Sequence, residues 1–432
     1  LAKRSGRIAG LRLELHDTQN GGQPYHWAQP LQILSGIPGV QLEVLWVGFT
    51  ESLDHPRISQ WLAQHGQLIS HLIAAVFVRE DWLQLRDFAK AAAPCRSIDL
   101  IIKHLPQQVV DLADLDPVAG SLHGLVCQPS EWWGGRLRGT SAFNNLSQLT
   151  GLHLGPEDFG IEEPWGGLAN LTGLRELTLR VSANGDPSPL SALTRLSYLS
   201  LAKLSLVDAA APFTFSSLQP LSTLRQLEVL HLGTQACGAT SLQGLAGLSV
   251  LRKLELAGCN SRPLRSLEGI PPGVTELSIS SAPDLVGLAG IEGCTRMEKL
   301  SFSSCEIASL QPLRGLSSLK QLNMDDCNLT SLEGLNSTSL QSLSLTYCDS
   351  LTQLSGVKHL SAVKSLKLIH NNGLTTLRAL SQLGEGLQKL TVYGGKVLRE
   401  EVLELPHVQP TADVDVKYNT LEVVLAGGAG MH

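Results

Sequence analysis

Apolar residues recur along this chain with two interleaved spacings. The unit L-x-x-L-x-L returns repeatedly, as Leu251, Leu254, Leu256, then Met297, Leu300, Phe302, then Leu319, Leu322, Met324. Taking the middle apolar residue as a marker gives Leu152, Leu177, Leu199, Leu230, Leu254, Leu277, Leu300, Leu322, Leu343, Leu366 and Leu390. The steps are 21 to 25 residues, with one of 31 between Leu199 and Leu230. Around L-x-L the alternation has the two-residue period of a strand. The stretch that follows, as in Leu310, Leu313, Leu316 and Leu319, turns an apolar side chain inward about every three residues. Each unit is therefore expected to be a strand followed by a tight helical return. One unit alone cannot bury its own leucines, so units must stack, share a core and align their strands in parallel. Strands sit about 4.8 Å apart and the returns need more room, which predicts a curved α/β solenoid with about 15 to 17 strands on its concave face.

The regular pattern runs over residues 146–395. Residues 1–145 read as longer, irregular repeats, with strands expected at Ile8, Leu11, Leu13; Leu42, Leu45, Val47; Ile73, Val76, Val78; Cys95, Ile98, Leu100; and Leu122, Leu125, Cys127. Here the returns are predicted to be true convex helices. Ile58, Trp61, Leu62, His65, Leu68, Ile69 and Leu72 follow helical spacing, as do Trp82, Leu85, Phe88 and Ala92. The long step after Leu199 holds Ala209, Ala210, Ala211, Pro212 and Phe213, and reads as an excursion within one repeat rather than a domain boundary. Residues 396–432 are expected to close the stack, with a helix from Lys396 to Leu405, one or two strands between Val414 and Val424, and a loose Gly-rich tail.

With these residues on the page, the pattern L-x-x-L-x-L-x-x-C/N-x-L resembles the leucine-rich repeat. Units such as Cys327-Asn328-Leu329-Thr330-Ser331-Leu332 are similar to its short cytosolic class. The resemblance implies a binding scaffold and does not imply which partner. The longer N-terminal repeats resemble the repeat domains that follow an F-box in ubiquitin-ligase substrate receptors; that reading requires an adaptor-binding segment upstream of Leu1. The resemblance also places Cys259, Cys305, Cys327 and Cys348 where the family uses Asn or Cys to hydrogen-bond the turn backbone.

Composition narrows the function class. A net charge of -6 offers no broad positive field for a phosphate backbone, so nucleic acid is not an expected partner. No apolar run is long enough to span a bilayer. The eight cysteines are scattered through the repeats, which points to a reducing, intracellular location, cytoplasmic or nuclear. Against it stand N-x-S/T triplets at Asn145, Asn170, Asn328 and Asn336, which would matter in a secreted or cell-surface recognition ectodomain. No nucleophile elbow, zinc-protease motif or phosphate loop occurs, so no catalytic residue, metal or cofactor is assigned.

The candidate residues are contact residues. All seven tryptophans precede residue 166. Trp27, Trp61 and Trp82 fall in expected convex helices. Trp46 should point outward from a strand, and Trp132, Trp133 and Trp165 lie in Gly- and Pro-punctuated loops, where they are either interface anchors or fold back into their own loops. Beside them Glu157, Asp158, Glu162 and Glu163, with Asp186, make an acidic rim that suits a basic partner or is simply solvated. His153 and His231 occupy the middle of L-x-L triplets, so their rings face outward, as contact residues or solvated histidines; no carboxylate or nucleophile recurs beside them in sequence. His370 lies just beyond such a triplet. The later outward positions, Ser278, Ser280, Ser301, Ser303, Ser342, Ser344, Asn323, Asp325 and Asp326, predict a polar floor with few anchors, which places the main contact surface in the N-terminal half.

Overall fold

The computed structural model describes residues 11–15, 33, 41–48, 55–78, 83–104, 109–129, 136–154, 160–161, 167–181, 187–203, 217–233, 239–258, 264–383, 386–394, 415–417 and 420–424. The chain divides into two compact units, Leu1–Phe213 and Thr214–His432. The division falls at the end of the Ala209–Phe213 insertion, which sequence reading takes for an excursion within one repeat. The insertion lies outside the described residues.

In the second unit eight parallel strands, from Val229–Leu232 to Lys389–Tyr393, pair in sequence order. Each can be named as a rung by its marker. The markers Leu230, Leu254, Leu277, Leu300, Leu322, Leu343, Leu366 and Leu390 face one another in an unbroken register. Marker and marker+2 are buried, and the residues between them are not. The returns include short 3-10 turns such as Gln311–Gly315 and Val357–His359, whose three-residue turn matches the leucine spacing. Leu310, Leu313, Leu316 and Leu319 are all at most 1 % exposed. The last parallel strand is covered by Thr420–Val424, which pairs with it antiparallel and in turn pairs with Asp415–Lys417. Lys396–Leu405 lies outside the described residues.

Strand alternation would send marker+4 inward, yet the next buried residue is marker+5: Ala282, Cys305, Cys327, Cys348 and Asn371. A one-residue slip of this kind needs a bulge. It is supplied by a left-handed residue at marker+4 on seven successive rungs: Gly258, Ser281, Ser304, Asp326, Tyr347, His370 and Gly394, with φ between 50° and 69°. The left-handed residue thus moves the next inward position from marker+4 to marker+5.

Among the described residues of the first unit, eight parallel strands, from Leu11–Leu15 to Tyr198–Lys203, form its main sheet. Two returns are α-helices, His55–His65 and Leu83–Ala92, and a third is the 3-10 segment Leu112–Val118, capped by Asp111 accepting from the Ala113 amide at 3.0 Å. Two expectations are corrected here. The first helix ends at His65, and Ile69 and Leu72 already belong to the strand Ile69–Val78. The residues aligned with Leu152 are Val47, Ala74, Leu100 and Leu125, so the expected markers Leu45, Val76 and Ile98 are each two residues off. A bulge between Ile98 and Asp99 and a nearly continuous apolar run over 69–78 leave the L-x-L signal without a unique register there. A second, small parallel sheet, Val109–Asp111, Arg136–Arg138 and Gly160–Ile161, is not foreseen by the repeat pattern.

Candidate functional site

Stacked rungs bring side chains from different repeats into columns, and what a column can do depends on neighbours some 21 to 25 residues apart in sequence. His153 and His231 both stand at marker+1 and face outward, as expected. Each has a carboxylate from the following rung, which the linear sequence hides. His153 Nε2 lies 3.4 Å from Glu176 while its Nδ1 is 2.9 Å from Thr178 Oγ1, and His231 Nε2 lies 3.5 Å from Glu255. The His231 side chain is only 25 % exposed, and burial lowers its pKa below the usual imidazole value against the opposing pull of Glu255.

Other predicted contact residues lie outside the described residues: Trp132, Trp133, Trp165, Glu157, Asp158, Glu162 and Glu163. Their described neighbours are informative. Arg136–Arg138, which follows the tryptophan pair, is hydrogen-bonded to Gly160–Ile161, which the acidic residues flank. Trp46 is in the strand Leu42–Gly48, paired with Glu14 and Ile73, and its side chain lies outside the described set.

On the first unit's sheet a polar chain appears that sequence reading missed, because its members are 26 residues apart. His71 Nε2 is 3.0 Å from Asp99, His71 Nδ1 is 2.8 Å from Ser97 Oγ, and Ser97 Oγ is 3.2 Å from His123 Nδ1. Asp, His and Ser in series suggest nucleophile activation, but the geometry argues otherwise. The amide after the serine, Ile98 N–H, already donates to Ser121 O at 2.8 Å, and the hydroxyl is shared between two rings. An oxyanion would find no donor at that amide, so the chain is suited to holding neighbouring rungs in place.

In the second unit the charges of the marker-1 column are paired: Lys299 Nζ is 2.6 Å from Glu276 in the same column, and Lys253 is 3.9 Å from Glu255 at marker+1 of its own rung. Lys253, Glu276 and Lys299 line a shallow groove with Ser278, Ser301, Gln321 and Asn323. Further along the sheet the outward face also carries aromatic rings. Tyr347 and His370 stack with ring centroids 4.9 Å apart and planes 9° from parallel, and Tyr393 meets His370 edge-on at 4.5 Å. A side chain at Gly394 would place its Cβ 2.5 Å from the His370 ring, so the missing side chain there makes room for the stack. On the preceding rungs Ser303 donates to Asp325 and Ser304 to Asp326, each at 3.0 Å. Asp325 and His370 were visible in sequence; Tyr347 and Tyr393 were not singled out, although aromatic residues at marker+3 and marker+4 of nearby rungs were a readable signal.

Cys305, Cys327 and Cys348 occupy marker+5 on consecutive rungs; each thiol lies 3.4 to 3.5 Å from the marker+3 carbonyl of its own strand, Ser303, Asp325 and Thr346, and 3.8 to 3.9 Å from the marker+2 carbonyl of the preceding rung, Ile279, Phe302 and Met324. Asn371 continues the series, donating to Leu345 O at 2.9 Å. Burial pushes the Cys327 thiol up to about 12 and those of Cys305 and Cys348 to about 11. The thiols are therefore structural hydrogen-bond donors in the role foreseen for them; Cys259 lies outside the described residues.

Residues 295–337 match the family described as Leucine Rich repeats (2 copies). No curated protein matches the chain. Similar solved structures include an internalin from Listeria monocytogenes, 20 % identical, with 83 % of this chain and 89 % of that one covered and a TM-score of 0.49. A leucine-rich-repeat protein of Leptospira interrogans is 15 % identical over 89 % of this chain and 98 % of its own, with a TM-score of 0.46. The ectodomain of the Arabidopsis receptor kinase HAESA, solved with an N-terminally extended IDA peptide hormone ligand, is 17 % identical over 78 % of this chain and 56 % of its own, with a TM-score of 0.42.

Proposed function

We propose that this leucine-rich-repeat protein is a non-catalytic scaffold that binds a partner protein on the outward face of its rungs and on the loops of its N-terminal unit. The observation that carries the reading is the division of labour along each rung. Marker, marker+2 and marker+5 are consumed by the core, while marker-1, marker+1 and marker+3 are held outward at fixed spacing by a rigid backbone. Side chains from many repeats are thereby presented together at little further ordering cost, which is what a binding surface requires. The sequence gathers Trp46, Trp132, Trp133 and Trp165 with Glu157, Asp158, Glu162 and Glu163 in the N-terminal unit, a composition that supports aromatic contact and a partner with basic character. Among the described residues no helix is long and apolar enough to cross a membrane. A reducing, intracellular setting is part of the proposal, supported by three thiols acting as hydrogen-bond donors, a role oxidation would abolish.

The test is affinity capture with the whole chain, identification of the retained protein, and repetition with Trp132→Ala/Trp133→Ala. Truncating both indoles is expected to weaken capture at least about tenfold if either is a hot spot. Undiminished capture refutes the placement on the N-terminal loops, and failure to retain any protein above a scrambled-surface control refutes the scaffold reading.

A further inference from the structure

The left-handed column of the second unit is where conformational preference and side-chain identity disagree most. Glycine occupies it at both ends, Gly258 and Gly394, and Ser or Asp on the rungs between tolerate it through short polar side chains. Tyr347 does not belong to that set, and it holds φ at 52°, as does His370 beside it. Bulky side chains retained where glycine would be unstrained point from the outlier toward a use for the side chains.

Their geometry indicates which use. His370 covers one face of Tyr347 in a near-parallel stack with ring centroids 4.9 Å apart. Asp326 holds the same left-handed position on the rung before Tyr347, with Asp325 beside it. Tyr347 is 51 % exposed, one of the few large apolar side chains so exposed among the described residues. The serine bonds engage Oδ2 of Asp325 and of Asp326, and no described lysine or arginine forms an ion pair with either carboxylate.

We propose that Tyr347, backed by His370 and Tyr393, together with Asp325 and Asp326, binds the guanidinium of an arginine carried on an extended segment of a partner protein. The inference rests on the scaffold reading above and assigns a second contact surface within it. A guanidinium is flat enough to stack on Tyr347, and its positive charge and in-plane N–H groups are matched by the two carboxylates carried on the adjacent rung. A lysine ammonium matches the charge but not the plane. The complementary charge is present without a cation of the chain already satisfying it among the described residues, and the rung spacing sets the distance between ring and acids.

The probe is the capped pentapeptide Ac-Gly-Ser-Arg-Ser-Gly-NH2, titrated into the whole protein with ring resonances of tyrosine and histidine followed by NMR, beside the same peptide with citrulline in place of arginine. Saturable shifts at Tyr347 and His370 are expected with arginine, and at least about fivefold weaker binding with citrulline. Tyr347→Gly is the informative variant, because glycine is already used at this column and the backbone needs no rearrangement; it and Asp326→Asn should each weaken arginine binding at least about fivefold. Equal shifts from the citrulline peptide, or undiminished binding by Tyr347→Gly, overturns the proposal. Neither outcome bears on capture through the tryptophan loops, so the two readings fail separately.

Discussion

Replacing Asn371 by alanine probes the hydrogen-bonded series that ties each rung to the one before. Asn371 is 4 % exposed and makes two bonds: its Nδ2 donates to Leu345 O and its Oδ1 accepts from Cys348 N, both at 2.9 Å. Alanine removes both partners while leaving the buried backbone groups in place. The Cys348 N–H then has no acceptor, a loss of about 1 to 3 kcal/mol. Leu345 O lies within a paired stretch of sheet and has two lone pairs, so its loss is smaller, about 0.5 to 1.5 kcal/mol. Together these come to about 1.5 to 4.5 kcal/mol. Cys327→Ala removes one weak thiol donor, 3.4 Å from Asp325 O and 3.8 Å from Phe302 O, and should cost about 1 kcal/mol, mostly lost packing. Urea unfolding followed by far-UV circular dichroism gives the global effect. Because repeat arrays need not unfold in one step, amide exchange at Cys348 supplies the local one. Asn371→Ala is expected to lower the midpoint more than Cys327→Ala and to abolish protection of the Cys348 amide selectively. A midpoint within error of the wild type, with that amide still protected, would refute the claim that marker+5 locks the rungs through its polar atoms.

Two further outcomes follow from the titrating groups. The buried thiols of Cys95, Cys127, Cys294, Cys305, Cys327 and Cys348, all raised to about 11 or 12, should resist alkylation in the native protein at pH 8 and react once urea unfolds it; rapid native labelling of these positions, located by peptide mass mapping, contradicts their burial. His231 has a lowered pKa in the folded state, so below the unfolded imidazole value near 6.5 the unfolded chain binds more protons and stability falls as pH drops through that region. His231→Gln is expected to flatten this part of the stability profile, as read from urea midpoints between pH 5 and 7.5, and an unchanged slope would show that His231 does not contribute to it.

The contact chemistry of such a protein is a property of columns rather than of motifs. Glu176 gives His153 its carboxylate, and His370 gives Tyr347 its stacking partner, each from the next repeat. Neither pairing can be read from a window of sequence shorter than one repeat. This is also why the floor expected to be bland, a run of serines with scattered acids, holds an aromatic ledge at one end: the serines belong to rungs 277 to 343, and the rings to the marker+3 and marker+4 positions of rungs 343, 366 and 390.

What the sequence alone determined is the rung. Leucine at marker and marker+2, the three-residue return and Cys or Asn at marker+5 state which side chains must be inward, and burial is a demand each repeat makes by itself and its neighbours satisfy identically. Where that spacing lapses, over 42–100, the local signal lost its register. Apolar residues of a buried strand and of a helix face look alike over a few residues, and only Gly66, packed against Pro94 and Cys95 with little room for a Cβ, marks the helix end at His65. Tertiary structure decided the rest: the left-handed bulge at marker+4, the pairing of Arg136–Arg138 with Gly160–Ile161, and the identity of each outward side chain's neighbour. The physical reason is that inward positions answer to a core common to every repeat, whereas outward positions interact across the 4.8 Å between strands with residues some 21 to 25 places away, and no local pattern carries that information.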